Sequence, residues 1–262
     1  MYNSAEQAVE RAIDTMRSNL SEQLTVDDMA RAAMFSKFHF TRIFQRVTGI
    51  SPGRFLSAIR LQEAKRLLTT TRLNVTDISL RVGYNSVGTF STRFTKSVGL
   101  PPTTYRRMGG FAPRIPIQRP TGLTQGVVAG RVTAPEDGPG PGLIFMGLFQ
   151  HRIPEGPPVR CAVLDEPGTY RFTDVPDGTW HLLCHSVSGD VLSLRQEGMM
   201  VASVGPLTVR GRQPVTADAY LKPVTKLDPP VLLALLDSRK AACERNERAQ
   251  AEQRARATMY AA

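Results

Sequence analysis

The stretch FSKFHFTRIFQRVTGISP, residues 35–52, carries phenylalanine at 35, 38, 40 and 44, with Lys37, Arg42 and Arg46 set among them. At about 100° per residue, Phe40, Ile43, Phe44 and Val47 follow the i, i+3, i+4, i+7 spacing and form the apolar stripe of a helix. Phe38, Thr41, Arg42 and Gln45 repeat that spacing on the opposite side. The second stripe gathers a ring, a hydroxyl, a guanidinium and a carboxamide. A guanidinium can bond O6 and N7 of guanine, a carboxamide can bond N6 and N7 of adenine, and a ring can pack on a thymine methyl group. The chemistry suggested is the reading of base edges. A plainly solvated polar face is the alternative, and the surrounding chain has to decide between them.

Other constellations argue against catalysis. His181 and His185 share a face of one expected strand, but four residues at about 3.3 Å each separate them by roughly 13 Å, too far for one metal ion. Cys161, Cys184 and Cys243 are odd in number and lack metal-type spacing, which reads as reduced thiols in a cytoplasmic protein. No G-x-S-x-G, H-E-x-x-H or phosphate loop occurs. The expectation is a protein that is not an enzyme, with no cofactor and no metal. The longest apolar run, Val231 to Leu236, has six residues, against roughly 20 for a membrane span. The opening MYNSAEQAVERAID lacks the layout of a signal peptide, so no membrane partner is expected.

The net charge of +10 is concentrated at one end. Residues 1–114 hold 17 Lys and Arg against 8 Asp and Glu, a net of +9, and residues 115–262 hold 16 against 15. A polyanion partner is indicated for the first part. That part also repeats itself. Ser36, Phe40, Phe44, Gly49, Pro52 and Phe55 recur 50 residues on as Ser86, Phe90, Phe94, Gly99, Pro102 and Tyr105. Upstream, VDDMARAAMF (26–35) aligns with VTDISLRVGY (75–84) at an offset of 49, so the one-residue slip falls in a turn. Each copy reads as a short helix, a tight turn and a second helix. Thr25 suits the cap of the first helix, Gly49 and Gly99 suit left-handed helix ends, and Pro52 and Pro102 suit the first turn of the next. Between the copies, residues 55–71 predict an amphipathic helix that packs through Leu56, Ile59, Leu67 and Leu68. Two such units on a stiff connector would present two helices to successive major-groove segments, about 34 Å apart along DNA.

The runs L-T-V-x-x-M-A, F-S-x-x-x-F-x-R-x-F and G-x-S-P-x-x-F, with a second copy ending G-L-P-P-x-x-Y-R, resemble the AraC/XylS transcription regulators over about residues 5–108. The resemblance implies seven helices, with Ser36–Val47 and Val87–Val98 as the major-groove helices. Two departures stand out. The module usually sits at the C-terminal end in that family and here comes first. The family pattern F-S-R-x-F-K reads Phe90-Ser91-Thr92-Arg93-Phe94-Thr95 in the second copy.

The base-facing set is therefore Phe38, Thr41, Arg42 and Gln45 in the first copy and Val87, Gly88, Ser91 and Thr92 in the second, with Thr95 at the position matching Gln45. Only the first set carries long side chains, so the two heads are expected to be unequal. Phosphate contacts fall to Lys37, Arg46, Arg93 and Lys96, and to the helix-start residues Ser36, Ser51, Ser86, Thr103 and Thr104.

Residues 109–125, rich in Pro and Gly, read as a linker. Beyond them GVVAGRVT, GLIFMGLFQ, PVRCAVL, GTYRFTD, GTWHLLCHSV, MMVASV, PLTVR and PVTADAYL are short β-type runs broken by turn residues, predicting an antiparallel sandwich or small barrel. The pattern from Gly168 to Leu182, with Trp180 at its second aromatic position, resembles carboxypeptidase regulatory-like (transthyretin-type) sandwiches. Trp180, Leu182 and Cys184 alternate inward. Asp228 and Pro229 suit the start of a C-terminal helix.

The expected class is α+β in separate domains: an all-α seven-helix double helix-turn-helix domain (1–108), a linker (109–125), an all-β antiparallel sandwich (126–225), and a C-terminal helix or tail (228–257). The expected function is a cytoplasmic, sequence-specific transcription regulator that binds double-stranded DNA. RNA polymerase is its expected protein partner, and the sandwich serves effector sensing, dimerisation as a homodimer, or partner recruitment. Two alternatives stay open: an architectural DNA binder with low sequence preference, and a regulator controlled by a protein partner through the sandwich.

Overall fold

The computed structural model describes residues 4–112, 117, 124–136, 140–187 and 199–236. Seven helices occupy the N-terminal part: α1 (Ser4–Ser18), α2 (Val26–Ala32), α3 (Lys37–Thr48), α4 (Pro52–Thr70), α5 (Val75–Arg81), α6 (Val87–Val98) and α7 (Pro102–Arg107). Their ends obey local chemistry. Thr25 and Asp28 form a reciprocal capping box on α2, and Asn74 accepts from the Asp77 N–H at 2.8 Å on α5. Both twelve-residue helices close on a left-handed glycine, Gly49 at φ 79° and Gly99 at φ 90°. Each glycine N–H bonds a carbonyl four residues back at 2.9 Å.

The repeat is also a repeat of packing. Phe40 packs at a tilt against Phe44 and Phe44 meets Phe55 edge-on, both at 5.4 Å. In the second copy Phe90, Phe94 and Tyr105 do the same at 5.6 and 5.5 Å. Each triad ties a twelve-residue helix to the next helix along the chain, α3 to α4 and α6 to α7. Edge-to-face rings add roughly 0.5–1.5 kcal/mol beyond the area they bury. The connector helix α4 buries Leu56, Ile59, Leu67 and Leu68, as its periodicity predicts.

The remaining regular elements of the described chain are strands: β1 (Phe111–Ala112), β2 (Thr124–Thr133), β3 (Leu143–Phe149), β4 (Arg160–Leu164), β5 (Thr169–Pro176), β6 (Gly178–Val187), β7 (Met199–Val209), β8 (Pro214–Thr216), β9 (Ala219–Tyr220), β10 (Lys222–Pro223) and β11 (Leu235–Leu236). Five strands form an antiparallel sheet in the order β10-β7-β6-β3-β4. A second sheet is built on β2, and both sheets share one core through Val128, Tyr170, Phe172, Ile144, Met146, Trp180, Leu182 and Cys184. The inward alternation of Trp180, Leu182 and Cys184 is observed, and the Trp180 indole N–H donates to the Pro176 carbonyl at 2.9 Å.

Two expectations need correction. The sheets are not wholly antiparallel: β2 pairs antiparallel with β5 but parallel with β8 and β9. The run PVTADAYL splits at Ala217–Asp218, where the Asp218 carboxylate accepts from the Arg131 N–H at 2.8 Å and the two short pieces pair with successive parts of β2. The second correction concerns residues 228–236, expected to open a helix. They run extended and end in β11, which pairs parallel with β1. Asp228 caps no helix; its carboxylate accepts from the Thr225 N–H and hydroxyl at 2.9 and 2.8 Å. Backbone groups downstream bond across to other elements, Leu232 N–H to Pro154 O at 3.3 Å and Ala234 N–H to Val98 O at 3.1 Å. Residues 237–257 of the expected helix lie outside the described residues.

That extended segment belongs to a seam between the helices and the five-stranded sheet. Strand β3 is buried on both faces: Ile144, Met146 and Leu148 point into the sheet core, while Phe145 and Phe149 pack with Leu183 and Leu233 on the other side. The buried Lys65 of α4 reaches the Val231 and Leu233 carbonyls at 3.1 and 3.2 Å. Ile153, Leu232 and Ala234 complete the helical core.

Candidate nucleic-acid interface

On α3 the two sides of the helix differ sharply. Phe40 and Phe44 are fully buried, whereas Phe38 is 90% exposed and Arg42 and Gln45 stand in solvent. Thr41 is half-buried, and its hydroxyl donates to the Lys37 carbonyl at 2.9 Å. Phe38 thus leaves an aromatic ring in solvent beside the Arg42 guanidinium and the Gln45 amide. The expected stripe is present as a face.

The second copy presents a smaller face. Val87, Gly88 and Thr92 are exposed and Ser91 is half-buried. Thr95, which matches Gln45 by position, turns its hydroxyl back to the Ser91 carbonyl at 2.7 Å. No side chain in this set extends beyond a valine.

The residues expected at phosphate differ in their surroundings. Arg46, Lys96 and Thr103 are exposed and Thr104 is half-buried. Ser36 stands exposed at the start of α3 with no side-chain cap bond, while Ser86 caps α6 by accepting from the Thr89 N–H at 3.2 Å. Ser51 is engaged in capping α4 through the Arg54 N–H at 3.4 Å, and Lys37 pairs with Asp27 at 2.8 Å on the surface. Arg93 is placed differently from all of these. Its Nε donates to the Ser57 hydroxyl at 3.3 Å, and its Nη2 lies 3.8 Å from the Glu155 carboxylate, at the seam.

Three features are absent from the expectations drawn from sequence. Met34, 80% exposed, adopts φ 63° in the turn before α3. The matching turn uses Gly83 at φ 83°, and the backbone bonds agree: Met34 and Gly83 N–H bond three residues back and Phe35 and Tyr84 N–H five back, at 2.9–3.0 Å. The 49-residue alignment held that signal, since it sets Met34 opposite Gly83. Arg54 and Glu155, paired at 2.5 Å across the seam, left no trace in local pattern because they lie 101 positions apart.

Nothing in the described parts of the sheets resembles a reactive centre. Burial pushes the Cys184 thiol up to about 12, so it stays protonated, and burial also raises Cys161. Burial, with Arg152 and His151 nearby, holds the His181 imidazole below its usual range. No cluster of metal-ligating side chains occurs among the described residues, and no helix among them is long and apolar enough to cross a membrane.

A short helix, a tight turn and a longer helix with one exposed polar face, as in α2 and α3, form a helix-turn-helix unit. A family model described as a helix-turn-helix domain matches residues 29–108. The HTH-type transcriptional activator AarP of Providencia stuartii is 34% identical over 91 residues, covering 35% of this chain and 67% of that protein. The lactose operon transcription activator of Staphylococcus xylosus is 33% identical over 98 residues, covering 37% of this chain and 35% of that one. A transcriptional regulator of Chromobacterium violaceum described by its AraC-type DNA-binding domain covers 41% of this chain and 96% of its own, at 27% identity and a TM-score of 0.39. The chain belongs to the AraC-type helix-turn-helix transcriptional regulators, a family of DNA-binding proteins and not of enzymes. It spans about two thirds of AarP and about a third of the staphylococcal activator.

Proposed function

We propose that this protein regulates transcription by reading double-stranded DNA through two helix-turn-helix units of unequal discriminating power. In this reading α3 lies in one major-groove segment, with Arg42 on guanine, Gln45 on adenine, and Phe38 and the Thr41 methyl packed against thymine. Helix α6 enters the next segment, where Val87, Gly88, Ser91 and Thr92 add little beyond close approach. Ser36, Lys37, Arg46, Ser86, Lys96, Thr103 and Thr104 hold the backbone. The observation that carries the proposal is the exposed face of α3, with Phe38 90% exposed on the side opposite the fully buried Phe40 and Phe44. The +9 charge of residues 1–114 supports it, because counterion release favours a basic surface on duplex DNA.

The sheet region acts in this proposal as a transthyretin-type sandwich of about residues 126–225 that senses an effector, dimerises or recruits a partner. The regulator works in the cytoplasm with RNA polymerase. Site selection from random duplexes with the full chain, then titration of the selected site against salt, tests the core of the reading. A defined site with more preference at the segment under α3, and a steep fall of log affinity with log salt, is the expected result. A steep salt dependence with no enriched site would mean an architectural binder, and no binding at low salt would defeat the proposal outright.

A further inference from the structure

The outer face of the five-stranded sheet carries a row of four side chains in register. Phe145 of β3 pairs with His185 of β6, His185 with Val201 of β7, and Val201 with Lys222 of β10. This row floors a cavity of about 170 Å³ between the sheet and the helices. Its far wall is the last turn of α3, Val47 and Thr48, and its rim includes Arg152 and the extended segment around Asp228 and Pro229.

The lining is apolar at the centre and cationic at the edge. Phe145, Leu183, Val201 and Val47 supply hydrocarbon, and His185 is buried among them. Of the charged residues, Lys222 lies 3.4 Å from Asp228, whose other oxygen already accepts from Thr225 at 2.8 and 2.9 Å. Arg152 adds a second cation with no matching carboxylate among the described lining residues, which together carry one surplus positive charge. Arg152 also presses on the end of α3: a Cβ placed on Gly49 would lie 2.9 Å from its Nε. An apolar cavity of roughly 150 Å³ takes a single six-membered ring. The dimensions and charge therefore specify a compact hydrocarbon body with one anionic group.

We infer that this cavity is a binding site for a small organic monoanion, a carboxylate on a body of about one ring, held between the sheet and the end of the base-reading helix. The carboxylate faces Arg152 and Lys222, and the body lies on Phe145, His185 and Val201. The site gives a chemical class to the effector reading proposed above, and rests on that reading only for its consequence on DNA. Thr48 and Val47 lie within one helical turn of Gln45, so a ligand that fills the wall contacts biases how α3 sits against the sheet. Ligand and DNA affinities must then be coupled reciprocally.

The test is calorimetric titration of the full chain, without DNA, using cyclohexanecarboxylate and its uncharged counterpart cyclohexylmethanol. Saturable carboxylate binding at least tenfold tighter than the alcohol is expected. Ser203, exposed beside the floor, admits a larger side chain without disturbing the core. Ser203→Phe should weaken carboxylate binding at least tenfold, with thermal unfolding confirming that it folds. Arg152→Ala should weaken the carboxylate and leave the alcohol unchanged. Absence of saturable binding, or binding indifferent to Ser203→Phe, overturns the site, and equal affinity for acid and alcohol overturns its anionic character. DNA titrations on the same preparations, with and without the carboxylate, should differ at least fivefold, and identical affinities would overturn the coupling. A wild-type chain that binds the carboxylate but no DNA would instead sink the regulator reading while the cavity assignment stands.

Discussion

Glu155 is the residue whose replacement tests most directly how the seam bears on the proposed DNA-binding surface. Its carboxylate receives Arg54 at 2.5 Å and the Ser97 hydroxyl at 3.1 Å, and faces Arg93 at 3.8 Å, while the neighbouring Gly156 N–H bonds the Ser97 carbonyl at 2.9 Å. Its side chain is 15% exposed, against 29% for Arg54 and 33% for Arg93. Exposed ion pairs contribute about 0–1 kcal/mol, and breaking a fully buried one costs about 3–5 kcal/mol. Burial between those limits places Glu155→Ala at about 2 kcal/mol, roughly a thirtyfold change in the folding equilibrium. Glu155→Gln keeps the shape and one acceptor and should cost about half as much. Denaturant unfolding of the full chain measures both, and moderate salt should narrow the gap between wild type and variants because part of the loss is Coulombic. The same variants free Arg93, which sits on α6 among the residues expected at DNA. One more phosphate contact steepens the slope of log affinity against log salt by about 0.9. Conversely Lys96→Ala should flatten that slope by about the same amount, and Arg93→Ala should barely alter it. If Glu155→Ala shifts stability by less than about 0.5 kcal/mol, or if Arg93→Ala flattens the salt slope as much as Lys96→Ala does, the seam does not sequester Arg93 and the reasoning fails.

Three further outcomes are expected. Arg42→Ala should cost about 1–3 kcal/mol of specific binding and relax preference at one or two base pairs, whereas Thr92→Ala should leave the selected site unchanged; site selection on the two variants compares them. Trp180→Ala removes a 7% exposed indole and its bond to Pro176, and should lower stability by about 3–5 kcal/mol in calorimetric melting, an unaltered transition being the contrary result. In the two matching turns, Met34→Gly should be neutral to mildly stabilising, relief of about 1–2 kcal/mol of left-handed strain being offset by the flexibility of glycine. Gly83→Ala should cost more than that strain alone, since a Cβ there would lie 2.2 Å from the Leu20 carbonyl, and equal melting temperatures for Gly83→Ala and wild type would contradict the turn geometry.

Short-range chemistry was the legible part of the sequence. The Thr25 helix cap, the glycine ends at 49 and 99, and the phenylalanine spacing of α3 and α6 depend on neighbours within a few residues, and each is found as the spacing predicts. Trp180, Leu182 and Cys184 alternate inward for the same reason. The seam was not legible because its partners are remote: Arg54 and Glu155 are 101 residues apart, and Lys65 lies 166 residues from the Val231 carbonyl it bonds. One signal did point to it. LIFMGLF is apolar without alternation, which marks a strand covered on both faces, and the cover on its second face is the seam. The segment Val231–Leu236 misled because a short run that is apolar all round satisfies helix and strand periodicity alike. Two successive prolines, Pro229 and Pro230, supply no N–H groups, and the chain there gains its hydrogen bonds from Lys65, Pro154 and Val98 instead.

Helices α3 and α6 also differ in how they meet the sheet. Helix α3 presents long side chains to solvent on one side and closes the small cavity with its last turn on the other. Helix α6 presents short side chains, while Arg93 and Ser97 on it are engaged by Glu155 and its last residue, Val98, accepts from the Ala234 N–H. Helix α3 therefore meets the sheet across a space that can be filled, and α6 through direct polar contacts. A change of occupancy at the first boundary would bear on base choice, and a change at the second on backbone attraction. Those two effects separate experimentally as a shift in selected sequence and a shift in salt slope.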